Sequence, residues 1–206
     1  MSAFLNFEKS LLPVEKMNSL LPAAKEQYKE ASPFPHIVLD DFFDDEIVEK
    51  VLSEFPDKNE INWIDYFDRN QAKLANENEE NIGAFTRYFL YSLNSSTFLK
   101  FLEELVGISG LISDPYFRGG GLHNISRGGK LGVHIDFNKH QKYKMDRRLN
   151  LLLYLNKDWK EKFGAHIELW GKEMKKCGKK VLPIFNRMVI FTTTATSFHG
   201  HPEPLS

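Results

Sequence analysis

Three side chains in this sequence have the types and spacing of a metal site. His134 and Asp136 are two residues apart in an alternating strand pattern, so both project from the same face of the predicted strand. His199 follows at the end of a later predicted strand. Two imidazoles and one carboxylate that leave other metal positions open are typical of non-haem Fe(II) sites for oxygen chemistry. Structural zinc more often uses cysteine, and the chain has only Cys177.

The other histidines are weaker candidates for metal ligands. We predict that His123, His140 and His166 are structural or exposed, because no partner stands at metal spacing from them. The alternation around His166 also makes it a candidate pocket residue. His201 competes with His199 for the third position, but the proline after His201 predicts that this residue has already left the strand.

The composition predicts one soluble globular domain. The 206 residues are 42% hydrophobic and 27% charged, and 27 basic against 28 acidic residues give a net charge of -1. This balance provides no general field for nucleic acid or an anionic membrane, so neither partner is expected. No stretch approaches the roughly 20 apolar residues that span a bilayer. The absence of a cationic leader and the single cysteine predict a cytoplasmic protein.

Residues 1–110 are predicted to form a helical support that belongs to the same domain as the rest of the chain. Residues 1–30 are compatible with helix in two pieces, which Pro22 separates. The prolines after them disfavour helix, and residues 36–39 are predicted as a short strand. The support therefore starts with helices and one strand.

Two amphipathic helices are predicted in the remainder of this half. Asp44 is expected to cap the first helix, and Ser95 or Ser96 the second, which Gly107 ends. Between them, residues 65–81 are polar and acidic and have no clear apolar stripe. We predict that this segment is an exposed excursion or a mobile loop outside the core, and a lid over the site is one use for it.

Residues 111–206 show short strand patterns separated by turn residues. Strands after a helical half predict a mainly β barrel or sandwich with helices packed on one side, an α+β class. Within residues 149–155 the alternation puts leucines on one face, which suits packing under helices. The opposite face, which suits the lining of a pocket, carries Asn150, Leu152 and Tyr154.

This second half resembles the 2-oxoglutarate and Fe(II)-dependent oxygenases, specifically their prolyl 4-hydroxylase-like branch. The segments that carry the resemblance are His134-Ile135-Asp136, RRLNLLLYLNKDW at 147–159, FGAHIELW at 163–170, FNRMVIF at 185–191, SFHGHPEP at 197–204 and the entry PFPHIVLDDFF at 33–43. The string YLNKDW is specific to that branch. The resemblance implies a double-stranded β-helix barrel of the jelly-roll or cupin type, with residues 111–206 as the catalytic core.

The resemblance also implies a reaction and roles for six residues. The reaction is hydroxylation of an aliphatic C–H with release of succinate and CO2, using Fe(II), 2-oxoglutarate, O2 and, in many relatives, ascorbate. His134, Asp136 and His199 would hold Fe(II) and form the catalytic centre. The residues expected to bind the cosubstrate are Tyr154, at its distal carboxylate, Leu152, in the same pocket, and Asn124, near the metal, where relatives often carry tyrosine.

One feature departs from the family pattern. Relatives fix the distal carboxylate with an Arg or Lys on the strand after the last histidine, and no basic residue follows His199 here. We expect that residues 111–206 lack the last strand of the barrel, which would carry this cation; the alternative is that Arg148, Lys130 or Arg187 supplies it from elsewhere. A buried carboxylate without a cation would be costly.

The substrate is not readable from the sequence. A prolyl residue of a peptide or protein, or a small molecule, fits the implied chemistry. The basic segment 138–148 after the predicted metal strand would attract an acidic substrate. Two other functions stay open: a non-catalytic barrel that binds a ligand, and a cupin-like metalloenzyme that does not use 2-oxoglutarate.

Overall fold

The computed structural model describes residues 10–68, 70–140 and 142–206. Its α-helices are α1 (Val14–Glu30), α2 (Asp45–Ser53), α3 (Ala84–Leu93) and α4 (Ser96–Val106). Its strands are β1 (His36–Asp40), β2 (Ile64–Phe67), β3 (Ala72–Asn76), β4 (Leu122–Asn124), β5 (Leu131–His134), β6 (Leu149–Tyr154), β7 (Ile167–Trp170), β8 (Cys177–Val181), β9 (Arg187–Thr192) and β10 (Phe198–His201). The predicted α+β class is confirmed.

The strands form three antiparallel sheets. The first has the order β1-β9-β6, the second β5-β10-β7-β8 and the third β2-β3-β4. The first two sheets pack face to face, because one apolar cluster joins Ile167 and Leu169 of the second sheet to Val189 and Phe191 of the first. This cluster is the interior of a barrel, and it is separate from the larger core beneath the helices.

The first sheet lies between the helices and the barrel interior. Met188 and Ile190 of β9 point to the helices and are fully buried, and Leu151 and Leu153 of β6 pack on the same side. Their strand neighbours point into the barrel, as the period of two requires. The prediction that the leucine face of β6 packs under helices is confirmed.

Local signals in the sequence set the ends of two helices. The Asp44 carboxylate accepts a hydrogen bond from the Glu46 amide at 3.1 Å, and the Ser95 hydroxyl accepts one from the Phe98 amide at 3.4 Å. Gly107 ends α4 with a φ of 69°. Each such cap stabilises a helix by about 1 kcal/mol. The predicted caps of α2 and α4 are thus confirmed.

Two predictions for the first half are wrong. The segment 65–81 is not an excursion outside the core: it contains most of β2 and all of β3, and Ala75 and Asn76 are buried. These strands pair with each other and with β4, so backbone hydrogen bonds stabilise them without a strong apolar stripe. The second wrong prediction concerns Pro22, which lies inside α1 and does not divide that helix. Residues 1–9 of the predicted helical region, and Arg69 in the segment 65–81, lie outside the described residues.

The sheets also cross the predicted boundary at residue 110. β1 pairs with β9 over five residues from His36↔Phe191 to Asp40↔Arg187, and β3 pairs with β4. The first half therefore contributes strands as well as helices. In the described ranges, no helix is long and apolar enough to cross a membrane.

Candidate metal centre

The predicted metal residues come together where β5 pairs with β10. His199 of β10 stands directly opposite His134, the last residue of β5, and their ring centroids are 4.6 Å apart. Asp136 lies two residues beyond the end of β5, so the strand itself is shorter than predicted. Even so, one ligand atom from each of the three residues lies within 4.8 Å of the others.

Backbone carbonyls orient both imidazoles. His134 Nδ1 bonds the Gly132 carbonyl at 2.9 Å, and His199 Nδ1 bonds the Ser197 carbonyl at 3.0 Å. Because a carbonyl can only accept, Nδ1 donates the hydrogen bond in both rings, and Nε2 is the nitrogen left to face a metal ion. Both Nε2 atoms lie 3.6 Å from an Asp136 carboxylate oxygen. This tautomer is the one that metal-binding histidines use.

Asp136 is held as a carboxylate by its neighbours. Asn150 donates a hydrogen bond to its Oδ2 at 2.8 Å, and Arg147 Nη2 lies 3.5 Å from the same oxygen. Burial raises the pKa of Asp136, but His134, Arg147 and His199 together outweigh burial and hold that pKa well below its ordinary value. The carboxyl group is therefore ionised at neutral pH.

The protonation states at this cluster suit a divalent cation. His199 is only 5% exposed, and burial lowers the pKa of its imidazole, so the ring is neutral at neutral pH. Metal ligands must be a neutral imidazole or an ionised carboxylate. Two imidazoles and one carboxylate on one side of the ion are the donor set of mononuclear non-haem iron sites, so the residues present fit Fe(II).

Leu152 and Tyr154 lie where the alternation of β6 predicts, packed against the apolar cluster of the barrel interior. Burial raises the pKa of the Tyr154 hydroxyl, so this group stays protonated and can donate a hydrogen bond. Asn124 pairs with Leu74 of β3, and its neighbour His123 points to the opposite face. The roles of Leu152, Tyr154 and Asn124 stay predictions.

The sequence did not predict two contacts of Asp136, those with Asn150 and Arg147. Asn150 was assigned to the pocket-lining face of β6, but nothing in the sequence indicated its bond to Asp136. Arg147 lies 4.6 Å from the Phe137 ring centroid, and this stacking brings its guanidinium to Asp136. Lys73 of β3 is a second positive charge near Asp136. Burial lowers the pKa of the Lys73 ammonium group, and the Asp136 charge partly offsets that effect.

The remaining histidines lie outside the cluster of three. His140 pairs with Asp114 at 3.6 Å, and His166 pairs with Glu161 at 2.9 Å. His201 is buried, and neither ring nitrogen has a hydrogen-bond partner among the described residues. Burial lowers the pKa of His201 to about 4, so it is a neutral residue beside the site.

Arg187, one of the predicted substitutes for the cation that binds the distal carboxylate of 2-oxoglutarate, already forms an ion pair with Asp40. Arg187 donates to both Asp40 carboxylate oxygens, at 2.5 and 2.7 Å, and to the Leu182 carbonyl at 3.0 Å. These bonds tie β9 to β1. Arg187 is therefore a structural residue of the first sheet.

Residues 120–206 match the family model of the 2OG-Fe(II) oxygenase superfamily. This match covers less than half of the chain, so it is a similarity of the second half to the 2OG-Fe(II) oxygenase superfamily. No curated protein matches the sequence. The family match covers β4 to β10, and so it includes all three residues of the cluster.

Solved structures of similar fold are prolyl hydroxylases. One, from Trichoplax adhaerens, is in complex with a hypoxia inducible factor oxygen degradation domain peptide fragment; it has a TM-score of 0.67 and 15% identity over 97% of this chain and 90% of its own. A prolyl 4-hydroxylase of Phytophthora capsici has a TM-score of 0.65 and 20% identity, covering 96% and 63% of the two chains. One from Pseudomonas putida has a TM-score of 0.61 and 13% identity, covering 90% and 91%.

At these identities the likeness concerns the fold. Together with the family match it confirms the predicted double-stranded β-helix barrel.

Proposed function

We propose that this protein is a 2OG-Fe(II) oxygenase that hydroxylates an aliphatic C–H, a prolyl residue of a peptide or protein, and converts 2-oxoglutarate to succinate and CO2. The observation that carries the proposal is the cluster of His134, Asp136 and His199, with both Nε2 atoms turned toward the carboxylate. The chemistry of this donor set is that of Fe(II) sites with open positions for small ligands.

In this proposal the three residues hold Fe(II) and leave the rest of its coordination shell open. Iron and 2-oxoglutarate together supply the oxidising power, which the side chains of the protein lack. Asn150 and Arg147 hold the Asp136 carboxylate in place. The Gly132 and Ser197 carbonyls keep the two imidazoles in the metal-binding tautomer. The protein thus contributes a prearranged and charged site.

The barrel interior is the proposed cosubstrate site. Leu152 and Tyr154 line it, with the Tyr154 hydroxyl as hydrogen-bond donor to the distal carboxylate. Val189 and Phe191 are fully buried beside them and exclude water from this end. Asn124, at the end of β4, is the third proposed cosubstrate residue.

A peptide substrate is supported by the surface beside Asp136. An aromatic side chain is exposed there: Phe137 follows Asp136 directly and is 41% exposed. Tyr143, in the adjacent basic segment, stacks on Tyr116 with a centroid distance of 5.8 Å. Aromatic rings are common contact surfaces for proline in extended peptides. The Trichoplax adhaerens prolyl hydroxylase of similar fold was solved with a peptide.

Two further predictions belong to this proposal. Residues 1–110 act as the support and residues 111–206 as the catalytic core. The predicted compartment is the cytoplasm, with Cys177 reduced.

The test is succinate formation by the full chain in the presence of Fe(II), 2-oxoglutarate and O2, followed by NMR. We expect turnover that requires added Fe(II) and is lost in Asp136→Ala. Asp65→Ala is the matched control, because it removes an exposed carboxylate of β2. Equal succinate formation by Asp136→Ala and wild type would contradict the assignment. If wild type forms no succinate, 2-oxoglutarate is not used, and a ligand-binding barrel or a cupin-like metalloenzyme replaces this proposal.

A further inference from the structure

A second polar pocket opens beside the candidate metal centre. It is open to solvent, has a volume of about 200 Å³, and is lined by Asn138, Asp146, Arg147, Arg148, Thr193 and Thr194. Arg147 connects the two sites, because its guanidinium lies 3.5 Å from the Asp136 carboxylate. A group bound in this pocket would therefore lie next to the metal.

The strand pattern places this pocket at the mouth of the barrel. Arg148 lies just before β6 and two residues before Asn150, which bonds Asp136, so continued alternation puts both on the same side. Thr193 lies just after β9 and two residues after Phe191, and its amide donates to the Arg148 carbonyl at 2.9 Å. Tyr154 lies at the other end of the β6 row. The pocket and the proposed 2-oxoglutarate site are thus on opposite sides of the metal centre.

The pocket carries an excess of positive charge. Two guanidinium groups line it, and its acidic residue, Asp146, is already paired with Lys139 at 2.8 Å. Within the described part of the chain, no carboxylate forms an ion pair with Arg148, whose side chain is exposed. This charge is therefore available to a ligand.

A buried hydroxyl beside this pocket also lacks a hydrogen-bond partner among the described residues. Thr193 is 4% exposed, and its Oγ1 makes no hydrogen bond with any described residue. The Thr194 hydroxyl, by contrast, is engaged with Ser197 at 2.8 Å. An unsatisfied buried hydroxyl is unfavourable, and an oxygen acceptor on a ligand would satisfy it.

We propose that this pocket binds an anionic oxygen group of the substrate, a carboxylate or a phosphate, beside the C–H that is oxidised. Arg148 supplies the charge, and Thr193 donates a hydrogen bond to the same group. The inference rests on the proposed function and extends it: the substrate is an acidic peptide, with a Glu, Asp or phosphorylated residue near the reacting prolyl residue.

The test uses short blocked peptides and the ¹⁵N-labelled full chain. The probes are acetyl-Pro-Glu-amide, acetyl-Pro-Gln-amide and acetyl-Pro-phosphoserine-amide, and the readout is the saturable shift of the backbone amides of Arg148 and Thr193. We expect a charged probe to bind at least about tenfold more tightly than the Gln probe, as a charge-assisted hydrogen bond predicts. The tighter of the two charged probes identifies carboxylate or phosphate as the natural group.

Variants distinguish binding of the anionic group in this pocket from nonspecific attraction of anions to the basic segment 138–148. Arg148→Gln should remove the preference for charge, and Thr193→Val should weaken the charged probes several-fold. Lys144→Gln removes the same charge from the same segment outside the pocket lining, and should keep the preference. The amide spectrum reports whether each variant is folded. Absence of saturable shifts at Arg148 and Thr193, or equal loss of preference in Arg148→Gln and Lys144→Gln, would overturn the inference.

Succinate formation in parallel samples with Fe(II) distinguishes the two proposals. Succinate without a charge preference would overturn the anion pocket alone. A charge preference that depends on Arg148, in a chain that forms no succinate, would support the pocket and overturn the dioxygenase assignment.

Discussion

The two faces of the β1-β9-β6 sheet differ in what they contribute. On the helix side, Met188 and Ile190 are 0% exposed and pack with leucines of β6 in the main core. On the barrel side, the row of β6 begins with Asn150, which holds Asp136, and ends with Tyr154. Neighbouring residues of the same strand therefore stabilise the fold and arrange the metal site. Substitutions on the two faces should have separable effects.

The largest effect is expected on Fe(II) affinity, from the substitution His199→Ala on the barrel side. Loss of one of three ligands should lower Fe(II) affinity by at least about 100-fold, because three donors hold the ion together. Isothermal titration calorimetry under anaerobic conditions measures this change. His166→Ala, which removes a histidine paired with Glu161, is the control and should bind Fe(II) as wild type does. Similar affinity in His199→Ala and wild type would remove His199 from the centre.

The opposite result is expected on the helix side, from Ile190→Ala. Truncation of this fully buried side chain should lower the free energy of unfolding by about 2–5 kcal/mol, because it leaves a cavity. Urea denaturation measures that loss, while Fe(II) affinity of the folded protein should be unchanged. Ile112→Ala, at a site 72% exposed, should change stability by less than about 0.5 kcal/mol. A large loss of metal affinity in Ile190→Ala would show that the two faces are coupled.

A smaller effect is expected where a barrel-side residue supports a ligand. Asn150→Ala removes the hydrogen bond to Asp136 and should weaken Fe(II) binding about 10- to 100-fold. The same calorimetric titration measures it, with the exposed Asn59→Ala as control. Unchanged affinity would mean that Arg147 alone is sufficient to orient the carboxylate.

The smallest effect concerns the ion pair that joins β1 to β9. Arg187 lowers the pKa of Asp40 through hydrogen bonds and charge, against a smaller opposing effect of burial. A lowered carboxyl pKa stabilises the fold above the ordinary pKa, and this contribution is lost as pH falls through the lowered value. Because Asp40 is half exposed, Asp40→Asn should cost less than about 1 kcal/mol at pH 7. Urea denaturation at pH 7 and pH 3 should show a smaller difference between variant and wild type at pH 3; a constant difference would contradict this.

Regular patterns made parts of both halves predictable. In the second half, the period of two in residues 149–155 correctly separated the helix face from the barrel face. In the first half, Asp44, Ser95 and Gly107 marked helix ends. The metal residues were readable because their types are chemically narrow and the strand pattern put His134 and Asp136 on one face. His199, a histidine at the end of a later predicted strand, was the expected third ligand, and the family match over residues 120–206 includes it.

The errors have a physical cause in long-range pairing. Residues 65–81 were predicted outside the core because β2 and β3 are short and polar, and their stabilising partner β4 lies far along the chain. Helix α3 was not predicted at all: Gly83 precedes it without a side-chain cap. The contacts of Asn150 and Arg147 with Asp136 likewise depend on the folded barrel, which no local pattern encodes.

The central claim is that His134, Asp136 and His199 hold one iron ion. Crystals of the full chain grown anaerobically with Fe(II) test it directly by anomalous scattering at the iron absorption edge. We predict one strong anomalous peak, in contact with both Nε2 atoms and the Asp136 carboxylate. A strong peak elsewhere on the chain, or none between these three side chains at saturating Fe(II), would contradict the claim.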